Sequence, residues 1–414
     1  MVQRLLAATL LLAPLGLQVE GKMPRDEFKT RRANLRGSLD GVLVLFGRVE
    51  GRDEVFRVQE DPDFYYLTGW NQPGARLLIT PTRELLFLPH HNDRVEHFQG
   101  RRSSAEDADV HALTGFEETR PIEKFEYELN QALNEQDKLY APLDQSATEK
   151  LKTLYPFREI SDAVPLITKL RLKKSPAELA AIQHATDVSV EAHRAAWKRM
   201  APGLSEYQIA AVLWSTYIES GCEGVAYSPI VGSGINSTIL HYSANQRRMD
   251  NGEVVVMDAA AQCDDYASDI TRTVPVGGKF TSRQREIYQI VLGAQKAAIA
   301  ALKPGVRMAG PGNSLTKIAR DYMDAHGRDQ HGEPLGKYFI HGLGHPVGLQ
   351  VHDPGTDAPL EPGMVVTIEP GIYIPEESIG VRIEDVVLVT ENGAKVLSAA
   401  LPKEADEIEK AVAK

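Results

Sequence analysis

A mixed α/β (α+β) fold in two domains is predicted by three features of the 414-residue sequence: its length, short apolar runs alternating with helical stretches, and a strand-plus-carboxylate pattern that occurs twice in the second half. A chain this long exceeds what one ordinary core absorbs, so two domains are expected. Hydrophobic content of 43% and charged content of 25% are those of a globular enzyme. The net charge of −11 repels nucleic acid and anionic membrane, and no Lys/Arg run overturns it.

The chain opens on MVQRLLAATLLLAPLGL, with Arg4 ahead of an apolar run from Leu5 to Leu17 broken by Pro14. That run is too short to span a bilayer and fits the apolar region of a signal peptide. Val19 and Gly21 offer a small-residue cleavage site beside the less favourable Glu20. Residues 1–22 are therefore set aside as a leader, and the mature protein is expected to be exported (periplasmic or secreted) with no stable membrane span. Without a working leader it would be cytoplasmic. Cys222 and Cys263 define no disulfide framework; they could form one bridge in an oxidising compartment, and the sequence leaves this open.

Residues 23–165 read as an α/β domain. Val42 to Phe46, Arg76 to Thr80 and Leu85 to Leu88 are buried-strand runs set between turn residues, and Pro121 to Gln136 reads as a helix with proline in its first turn. This domain contains His90, His91 and His97 but no HExxH spacing. The second domain, 166–414, opens with a composition shift. Ser175 is an expected N-cap, Pro176 the first helical residue and Glu178 the third member of a capping box. Further helices are expected from Ser205 to Gly221, from Ser282 to Leu302 ahead of Pro304 and Gly305, and from Ser314 to His326. His184 and His193 fall on the first of these helices and are given structural or surface roles.

Between the helices, NGEVVVMDAA (251–260) resembles PGMVVTIEPG (362–371), so that Gly252 aligns with Gly363 and Asp258 with Glu369. Each copy is a turn and a β-branched strand ending in a carboxylate. Each is followed by a strand with another acid, Asp269 in SDITRTVPV and Glu384 in VRIEDVVLV. The second domain is accordingly expected to be built from duplicated halves. Between the two copies, HGLGHPVGLQVHD (341–353) places His341, His345 and His352 among Gly342, Gly344 and Gly348. The glycines rule out a helix interior, so a turn and strand around a site are expected.

An ionised carboxylate inside an apolar strand is costly unless it is paired or bound to a cation. Asp258, Asp269, Glu369 and Glu384 would repel one another if they converged. Divalent cations remove that conflict, with one imidazole from the glycine-rich stretch completing the set. Oxygen-rich ligation with a single nitrogen suits Mn²⁺ first, with Zn²⁺, Co²⁺ or Fe²⁺ as alternatives. Two such ions acidify a shared water and polarise a carbonyl, so the chemistry implied is hydrolysis. There is no P-loop and no GxSxG elbow, and the GSGIN segment at Gly232 is too weak a signal for nucleotide binding.

The motifs MDAA, SDITRT, HGLGHPVG, TIEPG and VRIED, in this order, resemble those of the pita-bread metallopeptidases (M24), which include methionine aminopeptidase, prolidase, aminopeptidase P and the metal-free creatinase. RVQEDPDFYYLTGWNQPGARLLI, from Arg57 to Ile79, is similar to the accessory domain of aminopeptidase P, which methionine aminopeptidases lack. The resemblance implies an N-terminal accessory domain followed by a pita-bread catalytic domain with pseudo-twofold halves. It implies an Xaa-Pro aminopeptidase acting on peptides with proline in second position, with an Xaa-Pro dipeptidase (prolidase) as the alternative and a non-catalytic peptide-binding module as a remote one. Two divalent metal ions would be held by Asp258 on one side and by His345 and Glu369 on the other, with Asp269 and Glu384 bridging. Glu369 would also handle the proton of the attacking water. His241 in ILHYSANQ, His341 and His352 would face the substrate, and Arg382 would organise the network. Tyr266, just before Asp269, is read as a packing residue, and Cys263 as a turn or packing residue. Ala260 departs from the family's usual glycine without removing a ligand. Relatives of this kind form dimers or tetramers, so a homo-oligomer is expected.

Overall fold

A computed structural model describes residues 23–49 and 59–412. The leader expected at 1–22, and Arg57 and Val58 at the head of the accessory motif, lie outside the described residues.

The first half is built on one sheet of six strands: β1 (Val42–Phe46), β2 (Arg76–Ile79), β3 (Glu84–Leu88), β4 (Thr119–Pro121), β5 (Leu139–Ala141) and β6 (Ile160–Asp162), in the order β4-β3-β2-β1-β5-β6. The pairs β1-β2 and β2-β3 are antiparallel, and the outer strands join in parallel. Among the described residues seven helices accompany it: α1 (Arg25–Arg36), α2 (Pro62–Thr68), α3 (Asp93–Gln99), α4 (Val110–Thr114), α5 (Phe125–Glu135), α6 (Ser146–Leu154) and α7 (Val164–Arg171). The central strands are buried along almost their whole length, which is why they read as unbroken apolar runs. The helix expected from Pro121 begins later: Pro121 closes β4, residues 122–124 form a 3-10 turn, and α5 starts at Phe125. Proline has no N–H to donate, so it can end an edge strand as readily as open a helix.

The second half packs long helices around short sheets. Helix α8 (Pro176–Arg199) starts as the sequence requires, Ser175 Oγ accepting from Glu178 N at 3.2 Å and Glu178 accepting from Ser175 N at 3.0 Å. Helices α9 (Glu206–Glu219), α10 (Ser282–Ala301) and α11 (Leu315–His326) follow, capped by Ser205, Thr281 and Ser314, and α12 (Ala405–Val412) closes the chain.

The strands of this half are β7 (Gly224–Val225), β8 (Ile230–Ser233), β9 (Val254–Asp258), β10 (Ala261–Cys263), β11 (Tyr266–Ala267) and β12 (Thr271–Pro275), then β13 (Val365–Ile368), β14 (Gly371–Ile374), β15 (Ile379–Arg382), β16 (Asp385–Thr390) and β17 (Gly393–Val396). The duplication is visible in the pairing. In one half β9 lies antiparallel to β12 with Asp258 opposite Thr271; in the other β13 lies antiparallel to β16 with Ile368 opposite Asp385. Each pair therefore carries one acid where its first strand ends and another just before its second strand begins.

Two expectations are corrected here. Asp269 and Glu384 precede their strands rather than lying inside them. The stretch 341–353 is not a strand: a single bridge, Pro346 to Val366, and the bonds Val347 N to Val365 O, Thr367 N to His345 O and Glu369 N to Leu343 O lay it against β13. Gly344 allows the contact, since a Cβ there would lie 2.1 Å from the Thr367 carbonyl.

The cysteines, left open by the sequence, are bonded: Cys222 after α9 joins Cys263 in β10. Cys263 is thus a covalent tie as well as a packed residue. The two halves share a core, because one buried cluster contains Leu35, Phe64, Tyr66 and Leu77 together with Ile182, Tyr266, Val347 and Val365. Within it Arg31 donates to the Tyr66 carbonyl at 3.1 Å and to Tyr266 Oη at 3.0 Å, and Tyr266 donates to Glu178 at 3.1 Å. Tyr266 is therefore a polar link between the halves. Of the histidines on α8, His184 is exposed beside Asp264, whereas His193 is fully buried.

Candidate active site

One cavity of about 510 Å³ is lined by all nine side chains singled out in the sequence: His241, Asp258, Asp269, His341, His345, His352, Glu369, Arg382 and Glu384. Its floor is the junction of the two strand pairs. Glu384 N donates to the Thr271 carbonyl at 3.0 Å, and Thr271 Oγ1 donates to Glu384 Oε2 at 2.6 Å while accepting from Arg382 Nε at 3.2 Å. A threonine that faces the neighbouring pair from the end of β12 thus fixes an acid and a base of the opposite half.

Asp269, His345 and Glu384 each turn one ligand atom inward, all within 4.8 Å of one another. His345 Nε2 stands 3.3 Å from Asp269 and 3.5 Å from Glu369. Its other nitrogen, Nδ1, faces the Pro346 carbonyl at 3.0 Å, and a carbonyl can only accept, so Nδ1 carries the proton. Nε2 is thus the nitrogen that faces the two carboxylates and is placed to bind a cation. Asp258 and Asp269 meet at the Tyr227 hydroxyl, which is 2.5 Å from Asp269 Oδ1 and in equally close contact with Asp258 Oδ1. Asp258 also receives Arg382 at 2.6 Å.

The carboxylates are too crowded for full ionisation on their own. Burial, then Asp258 and Glu369, push Asp269 well above the usual carboxylate range. Burial, then Asp269 and Asp258, do the same to Glu384. Glu369 is pushed up to about 8 by burial and by Glu384, against the downward pull of His345 and Arg382. These are acceptors facing acceptors, and divalent cations satisfy such a set while keeping every acid ionised.

The remaining histidines differ in what they have free. His341 is held near a pKa of about 4 by burial and Arg382, so its ring is neutral. Its Nδ1 lies 2.7 Å from the Gly342 carbonyl and its Nε2 2.9 Å from Tyr373 Oη, which in turn accepts from Arg382 at 3.0 Å. Both nitrogens of His341 are engaged within the protein, so it ends a relay from Arg382 through Tyr373 and leaves no donor for a peptide. His241 and His352 are exposed to the cavity, and the His352 ring lies 3.9 Å from that of His345.

Sequence reading missed Tyr227, Tyr373 and Thr271. Thr271 had a usable signal, standing two residues after Asp269 in SDITRT. The tyrosines had none, because a lone aromatic beside a strand is more often core. Ala260, in place of the family's glycine, is fully buried and does not line the cavity.

A sequence profile described as "Metallopeptidase family M24" matches residues 180–391, and one described as "Aminopeptidase P, N-terminal domain" matches residues 28–140. The chain is 36% identical to the Xaa-Pro aminopeptidase of Haemophilus influenzae, over 94% of this chain and 97% of that one. It is 38% identical to the Xaa-Pro dipeptidase of Pyrococcus furiosus over 86% of this chain and 96% of that one. Among solved structures it is similar to aminopeptidase P of Escherichia coli with the inhibitor Pro-Leu, at a TM-score of 0.83 and 30% identity, over 94% of this chain and 98% of that one. The carboxylates, the imidazole and the two-part architecture thus belong together in sequence as well as in space, and the chain is a member of metallopeptidase family M24 with an aminopeptidase P N-terminal domain ahead of the M24 half.

Proposed function

We propose that this metallopeptidase hydrolyses the N-terminal Xaa-Pro bond of peptides and releases the first residue. The observation that carries the reading is the convergence of three buried carboxylates, the half-buried Glu369 and His345 in one cavity that His241 and His352 also line. A bond before proline is a tertiary amide whose preceding residue is conformationally restricted, so it calls for a dedicated pocket.

Asp258 would hold one of two divalent cations, His345 and Glu369 the other, and Asp269 and Glu384 both. When bound, the pair supplies Lewis-acid polarisation of the carbonyl and acidification of the attacking water. Manganese is the first choice, with zinc, cobalt or iron as alternatives. Glu369 takes the water proton and returns it to the proline nitrogen as the C–N bond breaks, a task for which its place in the cavity suits it. His241 and His352, the exposed imidazoles, hydrogen-bond the tetrahedral intermediate and the peptide. Arg382 donates to Asp258 and, through Tyr373, fixes His341.

Domain limits of 23–165 and 166–414, a leader at 1–22 and a homo-oligomeric assembly belong to the same reading. Export is supported by the Cys222–Cys263 bond, because disulfides persist in oxidising compartments. No described helix is long and apolar enough to cross a membrane. The alternative, an Xaa-Pro dipeptidase, is favoured by the identity with the Pyrococcus enzyme; the N-terminal profile match favours the aminopeptidase. Comparing kcat/KM on an Xaa-Pro dipeptide and an Xaa-Pro-Xaa tripeptide decides between them: the tripeptide is expected to be the better substrate, and turnover confined to dipeptides overturns the assignment.

A further inference from the structure

Asp258 and Asp269 are joined by a ten-residue hairpin, 259–268, formed by β10 and β11. Where it closes, Ala259 N donates to the Ile270 carbonyl at 3.1 Å and Ser268 N to the Ala261 carbonyl at 3.2 Å. The spacing of the two acids is therefore set by how this hairpin sits, not by the acids themselves.

Helix α8 lies against it with three fully buried polar side chains, Thr186, Ser189 and His193. Their spacing of three and four residues puts them on one helix face. Each meets a different point of the hairpin. Thr186 Oγ1 already donates to the Ile182 carbonyl at 2.7 Å, so Ser268 Oγ is the donor in the 2.9 Å bond between the two hydroxyls. Ser189 Oγ donates to the Ala185 carbonyl at 2.6 Å and accepts from Ala261 N at 2.9 Å. His193 Nε2 donates to the Ala259 carbonyl at 3.0 Å. Two of the three anchored residues, Ala259 and Ser268, are the immediate chain neighbours of Asp258 and Asp269.

We propose that His193, with Ser189 and Thr186 on the same face of α8, is a positioning residue that holds Asp258 and Asp269 at the separation two divalent cations require. The inference rests on the metallopeptidase reading above. The chemistry of His193 suits the task. Burial depresses its pKa to about 4, so the ring is neutral and carries a single N–H, which the Ala259 carbonyl fixes on Nε2. Its Nδ1 has no partner among the described residues, so what the ring holds is the backbone at the two ends of the metal-bearing hairpin, the Ala259 carbonyl directly and the Ile270 carbonyl more weakly. Groups that orient ligands in this way are worth about 10–100-fold in metal affinity.

The test is Mn²⁺ titration calorimetry on the chelator-stripped full chain, with the electron paramagnetic resonance signal of the loaded pair as a second readout. Wild type is expected to take up two ions with a spin-coupled spectrum. His193→Leu, which keeps volume but removes the N–H, is expected to weaken the lower-affinity ion by about 10–100-fold and to alter the coupling. His193→Gln, whose amide nitrogen reaches the place of Nε2, is expected to restore most of both. Ser189→Ala is expected to shift affinity in the same direction and decides the matter if His193→Leu does not fold. Trp197→Phe, one turn further along α8, is expected to lower Tm without changing affinity. Wild-type affinity in both His193→Leu and Ser189→Ala, no rescue by His193→Gln, or equal weakening by Trp197→Phe overturns the proposal. A wild type that binds no Mn²⁺ overturns the dinuclear reading itself, and that result appears before any variant is compared.

Discussion

Glu369 and His193 show how one environment, burial, yields opposite chemistry in an acid and a base. Burial and a neighbouring carboxylate raise the cation-free Glu369 carboxyl to about 8, and a bound cation would hold the same group ionised as a base. Glu369→Gln is expected to lower kcat by about 10²–10⁴-fold while leaving the far-ultraviolet circular dichroism unchanged; a wild-type kcat would remove Glu369 from the path of the proton. His193 is depressed from the ordinary 6.5 to about 4. As pH falls below about 6.5 the unfolded chain accepts a proton that the folded chain refuses until about 4, so stability is lost on acidification across that window. The loss attributable to this group is at most about 3 kcal/mol. Denaturant titrations at pH 7 and pH 4.5 are expected to show a smaller acid loss in His193→Gln than in wild type, and parallel losses would contradict the neutral buried imidazole.

Two elements carry the site, and each is pinned from outside it. The glycine-rich stretch 341–353 has no ladder of its own, so its far end depends on Asp353. This buried acid receives Arg171 at 2.6 Å and Lys174 at 2.8 Å, and Arg171 also reaches Asp63 on α2 at 2.7 Å. Asp353→Asn is expected to cost about 3–5 kcal/mol, because it leaves the buried Lys174 without its counter-charge and Arg171 with Asp63 alone. It should also loosen His352, read as a rise in KM larger than any fall in kcat. The other element is the β10-β11 hairpin, held on one side by α8 and on the other by the Cys222–Cys263 bond. That bond closes a loop of 41 residues, for which the chain-entropy relation gives about 4 kcal/mol. Cys222→Ser is accordingly expected to melt well below wild type, and reducing agent should lower the Tm of wild type but not of the variant.

For the molecule as a whole, the cations and the fold are expected to be coupled. Ligands from β9, β13 and the segments ahead of β12 and β16 meet only when both strand pairs are docked, so an ion that binds here binds the folded chain alone. Each divalent ion present at 1,000 times its dissociation constant stabilises the fold by about 4 kcal/mol. Stripping with chelator is therefore expected to lower Tm markedly and re-addition of Mn²⁺ to restore it; a Tm indifferent to both would argue against cations at this centre. The N-terminal half is expected to melt together with the second half. Its residues share a buried cluster with Ile182, Val347 and Val365, and Asp63 takes part in the ion pairs that fix Asp353. A role for that half in supporting the loop of His345 and His352 follows from these contacts.

Much of this was legible in the sequence because it is local. The Ser175–Pro176–Glu178 cap, the apolar runs of β1 to β3 and the doubled strand-and-acid pattern depend on neighbours a few residues away, and ordered motifs identified the five ligand candidates. The pairing of Cys222 with Cys263, the placement of Tyr227 between two aspartates, the engagement of both His341 nitrogens and the hold of His193 on Ala259 were not legible. Each depends on which distant segment happens to lie within hydrogen-bonding or bonding distance, and a buried polar side chain declares its role only when its partner is in place.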